Sequence, residues 1–247
     1  MTFSQAEFDI RCEWGLLGVS HLAPISDAII IVDVMSFSTC VVIASGRGAA
    51  VYPHRWKYDS AKAFAESISA ELAGSRSKLG YSLSPASVMA IPSGTRLVLP
   101  SPNGSTLSLA AGGTPTFAGC LRNCSVVAEA AMHCGRRVAV IPAGERWKDD
   151  DSLRPCLEDL LGAGAIIEHL AGALSPEAQA VRAAWRDSRG NLLDALKRCS
   201  SGKELIAMGY EHDVALIAEV DVDRVAPVLR DGAYVKFSQP FVRDRPQ

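Results

Sequence analysis

A chain of 247 residues, 48% hydrophobic, 21% charged and only 6% aromatic, can bury a large core and is too apolar to be disordered or fibrous. Its formal net charge is −2 and its Lys and Arg are scattered, which excludes a nucleic-acid footprint and points to a small-molecule partner. No apolar run reaches the roughly 18 residues of a membrane span, and seven irregularly spaced cysteines without a preceding signal peptide point to a reducing cytoplasm.

The alternation of Phe8, Ile10, Cys12 and Trp14 predicts an opening strand, with turns at Gly15, Gly18 and Pro24. Residues 28–34 are a β-branched run, the pattern of a strand covered on both faces, interrupted near its carboxyl end by Asp33. Ser36, Ser38 and Thr39 precede a short apolar helix over 40–45, with Ser38 or Thr39 as the expected cap and Gly46 or Gly48 as the stop. An acid at a strand end suits a hard cation, and hydroxyls with free helix amides suit an anion. A buried polar strand end with a capped helix is the structural alternative.

A second strand is expected over 49–52 and a helix over 58–72, and the Ser-, Gly- and Pro-rich stretch 74–93 reads as a loop over a site or a surface excursion. The strand–turn–helix plan then repeats. Strand 95–99 runs into Pro102-Asn103-Gly104, a tight turn in which φ > 0 is available, and Ser105 and Thr106 are expected to cap helix 107–111. Strand 115–118 ends in a polar corner holding Arg122 and Asn123, where a guanidinium can grip phosphate or carboxylate, before helix 125–133. Strand 137–142 ends just before Glu145, where open α/β sheets gather ligands. A long helix over 153–172 carries Glu158 and Asp159. Helical spacing half-buries Asp159 and directs Glu158 elsewhere, beside Gly162 and Ala165, so that one binds metal and the other makes a surface contact. Two helices broken at Gly190, a short helix over 211–218, strands 225–229 and 233–237 and a frayed tail after Pro240 complete the chain.

The expected architecture is a single α/β domain over 1–247, a three-layer α/β/α fold with a mostly parallel or mixed central sheet. Cys120, Cys124, His133 and Cys134 lack a CxxC pair and read as apolar packing rather than a zinc site. Asp221-Val222-Asp223 has the spacing of a dehalogenase-type phosphatase motif, but only 24 residues follow Asp223 and that motif opens its fold. Asp33 with Ser36, Ser38 and Thr39, the Asn103-Gly104-Ser105 turn, Arg122-Asn123, Glu145 and Glu158-Asp159 are expected to face one crevice. Carboxylates without a Cys/His cage suit Mg²⁺, and phosphoryl transfer from a monoester is the simplest chemistry for such a set.

The blocks IIVDVMSFSTCVVIASGRGA, LPSPNGSTL, GCLRNCSVVAEA, VAVIPAGE, CLEDLLGAGAII and LIAMGYEHDVALIAEVD, in that order, resemble the 2-phosphosulfolactate phosphatase family. The resemblance implies Mg²⁺-dependent hydrolysis of 2-phosphosulfolactate to sulfolactate and phosphate. Carried over by position, it implies Asp33 as first metal ligand, with Glu145, Glu158 and Asp159 as second ligand or general base. Ser36, Ser38, Thr39, Asn103, Gly104, Ser105, Arg122 and Asn123 become the anion-binding set. The family pattern often has Arg after the first block's Asp-Val-Leu; here Ser36 stands in that place, which puts the named substrate at issue. The alternatives are a non-catalytic binder of a phosphorylated or sulfonated metabolite and a phosphatase for a different monoester. An Ala-rich apolar chain is also compatible with a homodimer.

Overall fold

The computed structural model describes residues 2–55, 58–76 and 79–238, so the tail expected to fray lies outside the described residues. The first strand is β1 (Ile10–Cys12). Where glycines suggested turns, helix α1 (Gly15–Leu22) forms, because Gly15, Gly18, Val19 and Leu22 make a buried stripe at helical spacing. Strand β2 (Ala28–Val32) is buried throughout and leads through Asp33 into α2 (Phe37–Gly46), whose residues 37–45 are all buried. Strand β3 (Ala50–His54) precedes α3 (Tyr58–Ser67), which stops short of the expected end because its last predicted residues form the edge strand β4 (Glu71–Leu72). The stretch 74–93 contains one helical turn, α4 (Pro85–Val88).

Next come β5 (Arg96–Pro100), α5 (Gly104–Ala110), β6 (Thr116–Gly119), α6 (Cys124–Met132) and β7 (Val138–Pro142), the strand–turn–helix repetition expected from sequence. Residues assigned to the start of the long helix instead form an antiparallel hairpin of β8 (Glu145–Arg146) and β9 (Leu153–Arg154). Helix α7 is therefore Leu157–Ile167, beginning after Pro155. Helices α8 (Pro176–Ser188) and α9 (Leu192–Arg198) break around Gly190, and the Ser175 hydroxyl accepts from Ala178 N at 3.1 Å as an N-cap. Helices α10 (Ser200–Ala207) and α11 (Glu211–Ile217) and the strands β10 (Pro227–Arg230) and β11 (Ala233–Lys236) complete the described fold.

Nine strands form one sheet in the order β1-β7-β2-β6-β10-β11-β3-β5-β4. Strands β1, β7, β2 and β6 pair parallel, as do β3, β5 and β4. The antiparallel β10–β11 hairpin joins the two blocks, pairing antiparallel with β6 and with β3. The expected α/β fold with a mostly parallel, mixed sheet is thus present. Five steps separate β2 from β5, about 24 Å in a flat sheet at ~4.8 Å per strand. Yet Asp33, just past β2, hydrogen-bonds Ser101 and Gly104, just past β5. The sheet must curl, and it curls around α2, which touches β3, β6, β10 and β11. A helix in that position has no solvent face, which explains why it carries no charged residue and why even its Ser38, Thr39 and Ser45 are buried.

The two faces of the β2 block carry separate cores. Ile30, Val32 and Val140 pack with Val127, Leu161, Ile166 and Trp185 on one side. On the other, Ile29, Ile31 and Ile141 meet Val19, Leu22 and Leu107. A third cluster sets Phe37, Val41 and Ala44 of α2 against Val51, Leu97, Leu99 and Tyr234. Gly162 lets α7 lie directly on β2, because a Cβ there would sit 2.5 Å from Val34 Cγ2. That close approach brings the first turn of α7, with its two acids, under the strand end. No helix among the described residues is long and apolar enough to cross a membrane.

Candidate active site

Asp33 follows the last residue of β2 and is 6% exposed. Its Oδ1 accepts from Phe37 N at 3.3 Å, at the start of α2, and its Oδ2 accepts from Gly104 N at 2.8 Å, at the start of α5. Ser101 Oγ donates to Oδ2 at 3.4 Å. The amides that the sequence offered to an external anion are thus taken by the protein's own carboxylate. Gly104 is required by space: a Cβ would fall 2.2 Å from Phe37 Cδ1 and 2.7 Å from Asp33 Oδ2. Its φ is not positive, so the expected left-handed turn is not what fixes glycine there. Burial pushes the Asp33 carboxyl above its ordinary range; the bonds from Gly104 and Phe37 oppose this, and the Glu158 charge adds to it.

Three further acids converge on Asp33. Asp159 and Glu158, in the first turn of α7, are both buried, at 3% and 2% exposure, which corrects the expectation that one would make a surface contact. Asp159 Oδ1 accepts from Val34 N at 2.7 Å and Oδ2 from Gly144 N at 2.8 Å, so it ties the turn after β2 to the turn after β7. Burial, then Asp33, then Glu158 hold its carboxyl well above the usual range. Glu158 Oε2 is buried and has no hydrogen-bond partner. Glu145, on β8, accepts from Asn103 Nδ2 at 3.0 Å. Burial first, and then Asp33, raise its pKa from 4.5 to about 7. Asp33 and Glu158 lie close enough to Asp159 and Glu145 to push those two carboxyls up, although no bond between any two of the four is formed.

The hydroxyls expected to hold anions serve the backbone. Ser38 Oγ donates to Ile31 O at 3.1 Å and accepts from Asp33 N at 3.1 Å, and Thr39 Oγ1 donates to Val34 O at 2.8 Å. Both lie inside α2, whose N-cap is Ser36. Ser105 Oγ donates to Leu99 O at 2.9 Å, and the N-cap of α5 is Asn103, so neither Ser105 nor Thr106 caps it. Asn103 remains at the site through Glu145.

Arg122 and Asn123 are drawn away from the anion-binding role read for them. The Arg122 guanidinium donates to Asp223 Oδ2 at 2.6 Å, to Leu216 O at 2.7 Å and to Glu219. It fastens the segment after α11 to the corner after β6, since its charge is met by two acids about 100 residues downstream. Asn123 spends its side chain on Cys120 N, Ala118 O and Val225 O. Asp221 accepts from Ser125 N at 3.0 Å and from Ser125 Oγ at 2.7 Å, so both acids of the Asp-x-Asp spacing hold α6 and its corner in place. Cys120 and Cys124 belong to the main hydrophobic cluster.

Two residues that sequence reading passed over complete the site. Arg76, from the 74–93 stretch, donates from Nη2 to Ser36 Oγ at 2.9 Å and from Nη1 to Asp213 Oδ2 at 3.1 Å. A guanidinium therefore stands against position 36 although residue 36 is serine. Asp213 itself is 2% exposed and sits beside the buried Val214 and Ile217 of α11. A charge on the apolar stripe of a helix was the available signal. Arg76, one of two cations in a Ser- and Gly-rich stretch, gave none.

The donor chemistry at the centre is all oxygen, which fits a hard divalent ion, and the buried Glu158 Oε2, which accepts no hydrogen bond, is an oxygen that a cation would satisfy. Among the described residues, no group of three or more His, Cys, Asp or Glu side chains is gathered as a finished ligand sphere. Mg²⁺ needs only one or two carboxylates, with water and phosphate oxygens as its other ligands. Asn103 and Glu145 also line an open cavity of about 560 Å³, walled by Trp14, Leu17, Leu107 and Leu153, so these two residues have an approach from solvent.

A family model described as 2-phosphosulpholactate phosphatase matches residues 19–232. The 2-phosphosulfolactate phosphatase of Methanothermobacter thermautotrophicus is 34% identical over 139 residues, 56% of this chain and 58% of that protein. A probable 2-phosphosulfolactate phosphatase of Gloeobacter violaceus is 34% identical over 84 residues, 34% of each chain. One of Pseudothermotoga lettingae is 26% identical over 213 residues, 84% of this chain and 91% of that protein. The chain thus spans 58% and 34% of the first two relatives' own length.

Proposed function

The chain belongs to the 2-phosphosulpholactate phosphatase family, and from that premise we propose that it hydrolyses a small acidic phosphate monoester, 2-phosphosulfolactate being the leading substrate, with Mg²⁺. The observation that carries this reading is the unpaired, buried Glu158 oxygen beside the like-charged Asp33. A buried carboxylate without a counter-charge costs several kcal/mol, and a divalent ion with a phosphoryl group relieves that cost. Asp33 and Glu158 are the residues that would hold Mg²⁺. When bound, the ion neutralises charge on the phosphoryl oxygens.

The remaining residues have separate tasks. Glu145, with a pKa of about 7 and oriented by Asn103, is suited to take a proton from an attacking water at neutral pH. Asp159 acts at one remove, holding Val34 N and Gly144 N so that the ends of β2 and β7 keep their spacing. The Asp33 bonds to Phe37 N and Gly104 N fix its side chain before any ligand arrives, which reduces the reorganisation that charge stabilisation would otherwise require.

Phosphate release by the purified protein, with Mg²⁺ and with EDTA, across 2-phosphosulfolactate, phospholactate, phosphoglycolate and phosphoglycerate tests the reading. Mg²⁺-dependent release, fastest with 2-phosphosulfolactate, is the expected result. Release that survives EDTA removes the metal, and a different fastest compound removes the named substrate. No release from any of them by the folded protein leaves a metabolite-binding protein.

A further inference from the structure

The stretch 74–93 is fastened to α11 through one carboxylate. Asp213 Oδ1 accepts from Ser84 Oγ at 2.9 Å and from Ala86 N at 3.1 Å, while Oδ2 accepts from Arg76 Nη1 at 3.1 Å. The Arg76 guanidinium also lies over the Tyr210 ring, 5.5 Å from its centroid, and reaches the Ser36 hydroxyl at 2.9 Å. Its side chain is 18% exposed. Ser36 is the N-cap of α2, and the amide of the next residue, Phe37, is bonded to Asp33 Oδ1. Arg76 and Asp33 both act on the thiol of Cys40 in the first turn of the same helix. The cation and the acidic centre therefore share one helix end.

We infer that Arg76 is a specificity-determining residue that binds a second oxyanion of the substrate, a sulfonate or carboxylate carried on the same small molecule as the phosphate. This rests on the phosphatase reading. A purely structural Arg–carboxylate pair favours the bidentate fork; here Asp213 gives one oxygen to Arg76 and the other to Ser84 and Ala86. A guanidinium has five N–H donors, and among the described residues the hydrogen bonds to Ser36 and Asp213 use two of them. The remainder are available to a ligand without disturbing the hold on Asp213. Three neighbours fix the group in advance, so little side-chain entropy is lost on binding.

The test compares kcat/KM for 2-phosphosulfolactate and for phenyl phosphate, which has no second acid, in the wild type, Arg76→Ala and Arg76→Lys. The ratio of the two is expected to fall about 10- to 100-fold in Arg76→Ala, the scale of a lost charge-assisted hydrogen bond. The change should lie mainly in KM, with part of it restored in Arg76→Lys. An unchanged ratio, or an equal loss on both substrates, overturns the inference and leaves Arg76 as a loop fastener. Calorimetric titration with sulfolactate alone gives a second readout independent of turnover. If the wild type hydrolyses nothing yet binds sulfolactate, and Arg76→Ala does not, the phosphatase reading fails while the assignment of Arg76 stands. Equal binding by both proteins, or none by the wild type, overturns it.

Discussion

The corners after β2 and after β6 are neighbours on parallel strands, and both read in sequence as charged turns fit for a ligand. Their charges end differently. Arg122, after β6, is met by Asp223, Glu219 and the Leu216 carbonyl, so its charge is used up within the fold. Asp33, after β2, meets backbone amides and the fields of other acids, with no guanidinium among the described residues bonded to it, so burial pushes its carboxyl and those of Glu145 and Asp159 above their ordinary range. A charged residue at a strand end becomes a site when the rest of the chain withholds its counter-charge; when the chain supplies it, the residue becomes a fastener.

Substitutions can break that contrast, and the largest effect is expected at the β2 corner. Asp33→Asn keeps the shape and one acceptor but removes the charge. Mg²⁺-dependent turnover should fall on the order of 10³-fold, with far-UV circular dichroism unchanged; a fully active variant would take Asp33 out of the site. The next effect is on stability. The Glu145 carboxyl holds its proton in the folded state up to about pH 7, against an ordinary value of 4.5. The native protein therefore binds more protons than the unfolded chain between those values, and stability falls as pH rises from 4.5 through 7, by on the order of 3 kcal/mol. Urea midpoints of the metal-free protein should decline over that window, and Glu145→Gln should flatten the decline.

At the β6 corner the sign of the test reverses. Arg122→Ala should cost about 2 kcal/mol of stability, since it leaves Asp223 and Glu219 side by side without their cation. The KM of the protein that remains folded should not change, and a KM effect confined to Arg122 variants would return that residue to the site. Smallest of all, Ser105→Ala removes a hydroxyl that donates only to Leu99 O. It should lower the unfolding free energy by about 1 kcal/mol and leave substrate affinity as it was, which a urea titration and a KM measurement would check together.

Much of this was legible before the structure. The apolar run of β2, the Asn103-Gly104 turn and the strand–turn–helix repetition are local patterns, and they appear where the sequence placed them. Asp33 and Glu145 stood out because a carboxylate at the end of a buried strand has no local reason to be there. Other features were concealed by competing local signals. The glycines that make α1 fit against its neighbours read as turns, and Leu153 and Arg154 read as helix although they pair with Glu145 and Arg146. One of Glu158 and Asp159 was read as making a surface contact because helical spacing gives relative directions around a helix, while the packing of Gly162 on β2 decides which directions are inward.

The sequence by itself determined the α/β class, the succession of strands and short helices, and the acid at the end of the central strand, because each depends on side-chain periodicity over a few residues. Only the tertiary structure decided which charges are paired. Arg122 meets acids 97 and 101 positions away, and Arg76 reaches Ser36 and Asp213 from a loop 40 and 137 positions distant. The curl of the sheet around α2 joins the ends of β2 and β5 into one centre. Coulomb interactions and desolvation depend on distance in space, and chain separation carries no record of it.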